Sequence, residues 1–318
     1  MANVRVGFIG CGGIANGKHF PGMAQQEGVD MCAFCDLILE RAEKAAKEYG
    51  TLDAKVYTDY HELLADPTID AVHVLTPNVA HCEITVAALE AGKHVLCEKP
   101  MAATPADAKK MLEARDRTGK MLTIGYQYRH FPENQVAKKV VDSGALGDVY
   151  YAEATYLRRR GVPTWGVFTD KAKQGGGPLI DIGTHALDLT LWMMNNYKPK
   201  MVVGTTYKKL GDQKEAGNAW GDWDPEKFTV EDSAFGFITM EDGATIILES
   251  SWALNSLDVD EAKTSLCGTK AGADMKGGLR INGVKYNKQY IEEPNLESGG
   301  VDYFEGDLGG EPQDFECR

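Results

Sequence analysis

A glycine-rich turn that directly follows an apolar segment is the feature that most constrains the fold of this chain. The apolar run 4–9 leads into Gly10-Cys11-Gly12-Gly13-Ile14-Ala15. Gly10 lets the chain turn sharply, Gly12 lets the backbone approach a pyrophosphate, and Ala15 keeps the following helix close to the strand. The N-terminus of that helix presents free N–H groups and a positive dipole to phosphates. The pattern therefore predicts a dinucleotide site at the start of the chain.

Asp36 strengthens this prediction because it ends the second apolar run. A carboxylate at this position accepts hydrogen bonds from the ribose hydroxyls and repels a 2′-phosphate, so the sequence favours NAD over NADP, although an arginine elsewhere could compensate. The alternative is a glycine-rich turn that binds no ligand. The order of strand, helix, second strand and acid argues against that alternative.

The order of patterns along the chain predicts two α/β domains, at 1–124 and 125–318. The first is a doubly wound parallel Rossmann sheet, because apolar strands alternate with helical patterns over short connections. Strands are predicted at 4–9, 29–35, near Val56, and at 71–75, 94–97 and 121–125, and helices at 13–26, 38–48, 59–65, 80–91 and 105–118.

Longer strand patterns that arrive without intervening helices predict a large, mostly antiparallel open sheet in the second domain. The β-patterned runs lie at 147–161, 201–210, 230–240 and 244–253, with helices near 131–143 and at 179–194. Such an arrangement places ligands in the crevice at the carboxyl ends of the parallel strands.

Composition and charge exclude several classes of function. The 318 residues carry a net charge of −13, so a nucleic-acid partner is not expected, since phosphate binding needs clustered basic residues. No apolar run is long enough to cross a bilayer, and the chain enters its first strand without a signal segment, which predicts a cytoplasmic protein with no membrane partner. Arg158-Arg159-Arg160 is the only basic run; it is either a solvated surface or a holder of a polar ligand.

The seven cysteines are scattered through apolar segments, a pattern typical of reduced thiols in a cytosolic core. Cys32 and Cys35 have the spacing of half a zinc site or a redox pair. They lie inside the second predicted strand, and no matching Cys or His pair follows, so buried thiols are favoured.

Two short segments end predicted strands at the crevice. Thr76-Pro77-Asn78 places a hydroxyl and an amide where a nicotinamide ribose would lie, or else is an ordinary turn capped by Asn78. Glu98-Lys99-Pro100 ends the next strand. An ammonium there, on a turn fixed by proline, is a candidate proton donor or acceptor.

The segment from Gly175 to Trp192 carries a third candidate group. If Pro178 begins a regular helix, then Asp181, His185, Asp188 and Trp192 share one face. Asp181 would orient the imidazole of His185, which takes or gives a proton near neutral pH. The alternative is a helix whose His and acids only form structural hydrogen bonds. A metal is not expected, because a third ligand is missing.

Taken in order, these motifs resemble the glucose-fructose oxidoreductase / inositol dehydrogenase / rhizopine catabolism family. The resemblance runs from residue 3 to about 275 and also includes His81 and Gly125-Tyr126-Gln127-Tyr128-Arg129. It implies a bound NAD(H) or NADP(H) and a dehydrogenase that oxidises a secondary alcohol on a sugar or polyol. The implied catalytic residues are Lys99, Asp181 and His185.

The resemblance also implies the remaining site residues. The expected cofactor contacts are Gly10, Gly12, Gly13, Ile14, Asp36, Thr76, Asn78, His81, Glu98, Lys99 and Gln127. From position and side-chain type, the candidate substrate contacts are Tyr126, Arg129, Arg158, Arg160 and Trp165. Trp165 either stacks on a sugar or belongs to the core. The segments 156–166, 230–235 and 249–252 are similar to relatives that act on pyranosides, which favours a glucoside, oxidised at C3.

Two alternatives of other classes remain. One is an NAD-dependent glycoside hydrolase that acts by transient oxidation, and the other is a nucleotide-binding regulator without chemistry. The resemblance implies a homodimer or homotetramer formed through the open sheet. Members of the family continue past the point that matches 312–315, so the second domain is expected either to be truncated or to close differently.

Overall fold

The computed structural model describes residues 2–257 and 259–296. The chain divides into two compact units, with the boundary between Gln127 and Tyr128. The predictions that concern 297–318, including Cys317, lie outside the described residues.

The first unit is built on a six-stranded parallel sheet in the order β3-β2-β1-β4-β5-β6. Its strands are β1 (Val4–Ile9), β2 (Val29–Cys35), β3 (Lys55–Tyr57), β4 (Ala71–Val74), β5 (His94–Cys97) and β6 (Leu122–Ile124). The reversal of strand order beside β1 brings the ends of β1 and β4 together, and this is where doubly wound sheets bind ligands. The predicted Rossmann sheet is confirmed.

Helices cover both faces of this sheet. They are α1 (Phe20–Ala24), α2 (Leu39–Tyr49), α3 (Tyr60–Leu64), α4 (Asn78–Glu90) and α5 (Pro105–Thr118). Helix α5 begins where the sequence predicts, because the Thr104 side chain accepts from the Asp107 N–H and Pro105 occupies the first turn. On the other face, Phe8 packs edge-on against Phe20 and stacks on Phe34 at 5.1 and 5.5 Å between ring centroids, which fixes α1 over β1 and β2.

The second unit contains an eight-stranded sheet in the order β14-β13-β12-β11-β7-β10-β9-β8. Its strands are β7 (Val149–Leu157), β8 (Pro199–Tyr207), β9 (Ser233–Met240), β10 (Thr245–Ser251), β11 (Lys263–Gly268), β12 (Ala271–Asp274), β13 (Arg280–Lys285) and β14 (Lys288–Glu292). Strands β7 and β10 are parallel, whereas the other neighbours are antiparallel. The prediction of a mostly antiparallel second sheet is confirmed.

One face of this sheet holds the core of the second unit. Its helices are α6 (Pro132–Asp142), α7 (Lys171–Gln174) and α8 (Thr184–Met194). Leu189 and Met193 of α8 are fully buried together with Ile246 of β10 and Trp252. By contrast, β8 is exposed at every position.

The structure corrects three details of the predicted elements. Segments Ala15–His19 and Leu179–Gly183 are π-helical, so neither helix is regular over its first turn. Helix α4 begins at Asn78 with Pro77 as its N-cap, so Asn78 is not the capping residue. Strands β11 to β14 and helix α7 were not predicted. In the described part of the chain, no helix is both long and apolar enough to span a bilayer.

Candidate active site

The glycine turn of the first unit has the geometry that its sequence predicts. Gly10 has φ +102°, and a Cβ atom there would lie 2.5 Å from the carbonyl oxygen of Leu75, at the end of β4. Gly12 and Gly13 differ, because an added Cβ would meet open space. Ala15 is fully buried. Gly10 is therefore required by the packing of the protein itself. The space beside Gly12 and Gly13 is open, so a ligand can approach the backbone there.

Asp36 lies directly after β2, and two backbone N–H groups hold its carboxylate. Its Oδ2 accepts from the N–H of Cys11 and its Oδ1 accepts from the N–H of Ile38, both at 2.9 Å. These bonds fix the carboxylate beside the glycine turn. Since a carboxylate oxygen has more than one lone pair, each oxygen can still accept from a ribose hydroxyl.

Two observations show that these residues fit a dinucleotide. The space beside Gly12 and Gly13 is a cradle that a side chain would fill. The hydroxyl Oγ1 of Thr76, at the end of β4, is buried and has no hydrogen-bond partner among the described residues. A buried polar atom without a partner is costly, and a cofactor that supplied one would remove that cost. Gly10, Gly12, Gly13, Ile14, Asp36 and Thr76 are the residues that would hold NAD here.

His81 joins two of the predicted turns. Its Nδ1 lies 2.8 Å from the carbonyl oxygen of Pro100, and its Nε2 lies 2.8 Å from that of Thr76. Burial lowers the pKa of His81, although both carbonyl groups favour the charged ring. Because His81 is fully buried, its ring acts on the site by holding the Thr76 and Pro100 turns at a fixed separation.

Glu98 is the centre of a buried polar cluster that was not predicted. Its Oε1 lies 2.9 Å from Nε2 of His19, and its Oε2 accepts from the N–H of Lys99 at 3.0 Å. Nδ1 of His19 lies 3.2 Å from Nδ1 of His73 in β4. Burial opposes ionisation of Glu98, but the hydrogen bond and charge of His19 outweigh it and lower the pKa of Glu98. The cluster fixes the backbone at Lys99, and since His19 and His73 are distant in sequence from Glu98, no local motif indicates it.

Tyr126 and Gln127 complete the predicted residues of the first unit. Tyr126 follows β6, and its N–H donates to the carbonyl oxygen of Ile124 at 2.7 Å. Gln127 begins a short 3₁₀ helix, Gln127–His130.

In the second unit, Asp181 and His185 are both buried, but they lie on different kinds of helix. Asp181 belongs to the π-helical segment and His185 to α8. The regular spacing on which the predicted single face depended is therefore broken. Oδ2 of Asp181 accepts from Nε1 of Trp252 at 3.0 Å. That Asp181 orients His185 stays a prediction.

Two tyrosine rings surround His185. Tyr128 packs edge-on against its imidazole at 5.0 Å between centroids, and Tyr156 of β7 lies at 6.4 Å. The two phenol oxygens are 3.1 Å apart, and the hydroxyl of Tyr156 donates to Oε2 of Glu261 at 3.2 Å. Burial raises the pKa of Tyr156 far above its usual range, so its hydroxyl stays protonated. Tyr156 thus restrains the imidazole without adding a charge.

Arg129 forms a paired hydrogen bond with Asp188 of α8. Nε donates to Oδ2 at 2.7 Å, and Nη2 donates to Oδ1. Its guanidinium also lies over the ring of Trp192 at 5.9 Å. Burial raises the pKa of Asp188, against the opposing effect of Arg129. The arginine predicted to contact substrate therefore braces the helix that carries His185, and a contact with substrate stays a prediction.

The other predicted substrate residues follow β7. Nε of Arg158 donates to Oε1 of Glu261 at 2.7 Å. Nε of Arg160 donates to the carbonyl oxygen of Ala216 at 2.8 Å, and its Nη2 donates to Oδ1 of Asn255 at 2.6 Å, so it ties loops together. Trp165 is 53% exposed, which excludes the core alternative.

Comparison with known proteins agrees with this arrangement. Residues 4–126 match the family profile described as the NAD-binding Rossmann fold of an oxidoreductase family, and residues 134–274 match the GFO/IDH/MocA C-terminal domain. The chain is 41% identical over 272 residues to D-glucoside 3-dehydrogenase of Escherichia coli K12, covering 86% of this chain and 77% of the relative. The chain belongs to the Gfo/Idh/MocA family of oxidoreductases.

Further members of the Gfo/Idh/MocA family are also similar. Inositol 2-dehydrogenase of Salmonella typhimurium LT2 is 33% identical over 198 residues, which cover 61% of this chain and 56% of that relative. The fold matches an oxidoreductase domain protein from Kribbella flavida at a TM-score of 0.79, with 27% identity and coverage of 94% and 81%. It also matches levoglucosan dehydrogenase in complex with NADH and L-sorbose at 0.83, with 22% identity and coverage of 100% and 88%. The predictions of the family, of an oxidoreductase and of NAD as cofactor are confirmed.

Proposed function

We propose that this protein is a dehydrogenase that oxidises the secondary alcohol at C3 of a glucoside. The observation that carries the proposal is the 41% identity to D-glucoside 3-dehydrogenase over 86% of the chain. The protein's NAD site supports it: the empty cradle at Gly12, the fixed carboxylate of Asp36 and the buried hydroxyl of Thr76 all suit a dinucleotide. NAD, when bound, accepts the hydride that leaves the sugar carbon.

The proposed chemistry of the protein itself is acid–base work. His185 withdraws the hydroxyl proton of the substrate and Asp181 stabilises the resulting imidazolium, while Lys99 donates a hydrogen bond that stabilises developing negative charge. The surroundings of His185 support its role. It is buried against the rings of Tyr128 and Tyr156, so its position is restrained, and alignment is a large part of the rate that a protein can supply.

Arg129 and the polar cluster at Glu98 are proposed to act through these groups. The Asp188 carboxylate and Arg129 fix α8, and Glu98 fixes the backbone N–H of Lys99. Both place a proton-transfer group on a rigid support, since small displacements of such a group reduce catalysis.

The test is to incubate the protein with methyl glucoside, free glucose or myo-inositol and with NAD or NADP. The absorbance of the reduced nicotinamide measures oxidation, and the ketone product is then identified. We expect reduced cofactor to accumulate in step with a 3-keto glucoside, and NAD to be preferred because of Asp36. Release of the methyl aglycone without accumulation of NADH would instead assign the hydrolase. Tight NAD binding with no turnover of any sugar would assign the regulator.

We also propose that the chain forms a homo-oligomer through the open face of its second sheet. Val203 of β8 lies opposite Phe237 of β9, which lies opposite Ile247 of β10. Val203 and Phe237 are exposed, and a contiguous apolar face in water is costly. Sedimentation should give a dimer or tetramer, and Phe237→Glu should give a monomer that is still folded by circular dichroism but has a lower unfolding midpoint, because it loses the stabilisation by association. A wild-type monomer at micromolar concentration would contradict the proposal.

A cytoplasmic location is proposed on chemical grounds. The six cysteines in the described part of the chain are free thiols, which suits a reducing compartment. Fractionation of the producing cells tests it, with the periplasm or membrane fraction as the contradicting result.

A further inference from the structure

Two tryptophans of the second unit lie side by side on its surface. Trp165 and Trp220 are 53% and 43% exposed, and their rings meet edge to face, with centroids 5.1 Å apart and planes at 74°. Tryptophan carries the largest apolar surface of any side chain and is buried in most of its occurrences. An exposed pair is therefore a surface that is suited to an apolar partner.

The backbone around both tryptophans is fixed by hydrogen bonds. The hydroxyl of Thr164 donates to the carbonyl oxygen of Trp220 at 2.5 Å. Asn218 accepts from the N–H of Val162 at 2.8 Å and donates to its carbonyl oxygen at 3.0 Å. Arg160 adds a bond to Ala216 at 2.8 Å. The pair is thus presented by two loops that are joined along their length, which lowers the entropy lost when a ligand binds.

Arg158 connects this pair to the proposed catalytic histidine. Its guanidinium carbon lies 5.1 Å from the ring centroid of Trp220 and 5.2 Å from that of Tyr156. Tyr156 in turn contacts His185 at 6.4 Å between centroids. A continuous row of His185, Tyr156, Arg158 and Trp220 results, and every member belongs to the second unit.

The order of this row decides which part of a substrate the tryptophans can contact. The alcohol that is oxidised must approach His185 to within hydrogen-bonding distance, about 2.6–3.2 Å. Successive contacts through Tyr156 and Arg158 link His185 to Trp220, so we place a ring held at His185 nearer to Tyr156 than to the indoles. A group on the indoles must therefore be attached to the reacting ring from further along the row.

We infer that Trp165 and Trp220 form a subsite for a second pyranose ring, so that the preferred substrates are disaccharide glucosides. The inference rests on the proposed function and adds the chemical class of the aglycone. A pyranose ring suits the pair because the C–H groups on one of its faces are attracted to the electron-rich face of an indole. The hydroxyl groups of the pyranose accept hydrogen bonds from Arg158. Nε and Nη2 of Arg158 donate to Glu261 and Tyr156, whereas Nη1 donates to no residue in the described part of the chain.

The experiment compares a β-1,4-linked glucose disaccharide with methyl β-glucoside. In the wild type we expect kcat/KM for the disaccharide to be about tenfold higher, the size expected for one well-made aromatic contact. Trp220→Ala should remove most of this preference while leaving kcat/KM for methyl glucoside unchanged, and Trp220→Phe should retain part of it. Tyr197→Ala removes another half-exposed aromatic ring of the same unit and is the matched control.

Calorimetry of disaccharide binding, without turnover, separates the two possible failures. Equal kcat/KM for both substrates in the wild type and in Trp220→Ala would overturn the subsite and leave the proposed function standing. If no glucoside is oxidised but the disaccharide binds the wild type about tenfold more tightly than Trp220→Ala, the proposed function fails and the subsite stands. Equal binding by both proteins in that case overturns both.

Discussion

The candidate groups of the first unit and those of the second are held in place by different means. In the first, backbone groups do most of the holding: N–H groups of Cys11 and Ile38 fix Asp36, and carbonyl oxygens of Thr76 and Pro100 fix His81. In the second, side chains do so, with Trp252 on Asp181 and Arg129 on Asp188. A site held by backbone is encoded by a local motif, whereas a site held by side chains depends on residues far apart in the sequence.

The largest effect is expected from removing the proposed proton-transfer group of either unit. Lys99→Ala and His185→Ala should each lower kcat by about 10²- to 10⁴-fold. Calorimetry should show that both variants still bind NAD, with an unchanged affinity in His185→Ala. His61→Ala removes an exposed histidine and should leave kcat unchanged. If either active-site variant kept more than about a tenth of the wild-type kcat, the residue would not be catalytic.

Alanine substitution of two glycines in the same turn should have different effects, one on NAD affinity and the other on stability. Gly12→Ala fills space that the protein leaves open, so NAD affinity should fall at least about tenfold while the unfolding midpoint stays constant. Gly10→Ala forces a methyl group to 2.5 Å from the Leu75 carbonyl oxygen at positive φ, so the free energy of unfolding should fall by about 1–3 kcal/mol. Gly17→Ala, which also meets open space, is the control for both measurements.

If Gly12→Ala bound NAD as tightly as Gly17→Ala, the cradle would not be the phosphate site. If Gly10→Ala were as stable as the wild type, close backbone packing at Gly10 would not be needed to hold the glycine turn. The contrast between the two units would then fail at this position.

Arg129→Ala tests the side-chain support of the second unit. It leaves the mostly buried carboxylate of Asp188 without its partner, so urea unfolding should show a loss of about 2 kcal/mol or more. Arg115→Ala breaks an exposed pair with Asp116 and should cost less than about 1 kcal/mol. Equal losses in the two variants would show that the Arg129 pair does not brace α8.

The smallest expected effect is on the pH dependence of stability, which should have opposite signs for one carboxylate in each unit. Hydrogen bonds from Lys55 and Thr68 hold the pKa of Asp66 well below its usual range. The stability that Asp66 contributes is present above the unfolded-state pKa of about 3.9 and is lost as pH falls below it. Burial raises the pKa of Asp188, so its contribution is complete below about 3.9 and is lost as pH rises through the folded-state value.

Urea unfolding of Asp66→Asn and Asp188→Asn between acid and neutral pH measures this difference. The stability of the wild type relative to Asp66→Asn should increase with pH, and its stability relative to Asp188→Asn should decrease. The same sign for both variants would contradict the electrostatic part of the comparison.

Much of the first unit could be predicted because its signals are local. Strands β1, β2 and β5 and helix α5 have the predicted bounds, since continuous apolar runs and the Thr104-Pro105 start are readable in the sequence. Strands β13 and β14 were missed because most of their positions are exposed, so they lack the alternation that identifies a half-buried strand.

The candidate site divides in the same way. One motif predicts the positions of Gly10, Gly12 and Asp36, because its residue types and spacing require a particular backbone geometry. The contacts of His19 with Glu98 and of Glu261 with Tyr156 join residues 79 and 105 positions apart, and no pattern within either segment indicates its partner. Similarly, the π-helical turn before α8 has no distinct signature in a sequence that has helical periodicity.

Transfer of deuterium from a glucoside labelled at C3 tests the central claim most directly. The purified protein would be incubated with NAD and methyl β-glucoside carrying deuterium at C3, and the reduced cofactor analysed by mass spectrometry. The predicted result is deuterium in the reduced cofactor together with a 3-keto product. Both should be lost in His185→Ala. Reduced cofactor without deuterium, or a glucoside left unoxidised by a protein that binds NAD, would contradict the account.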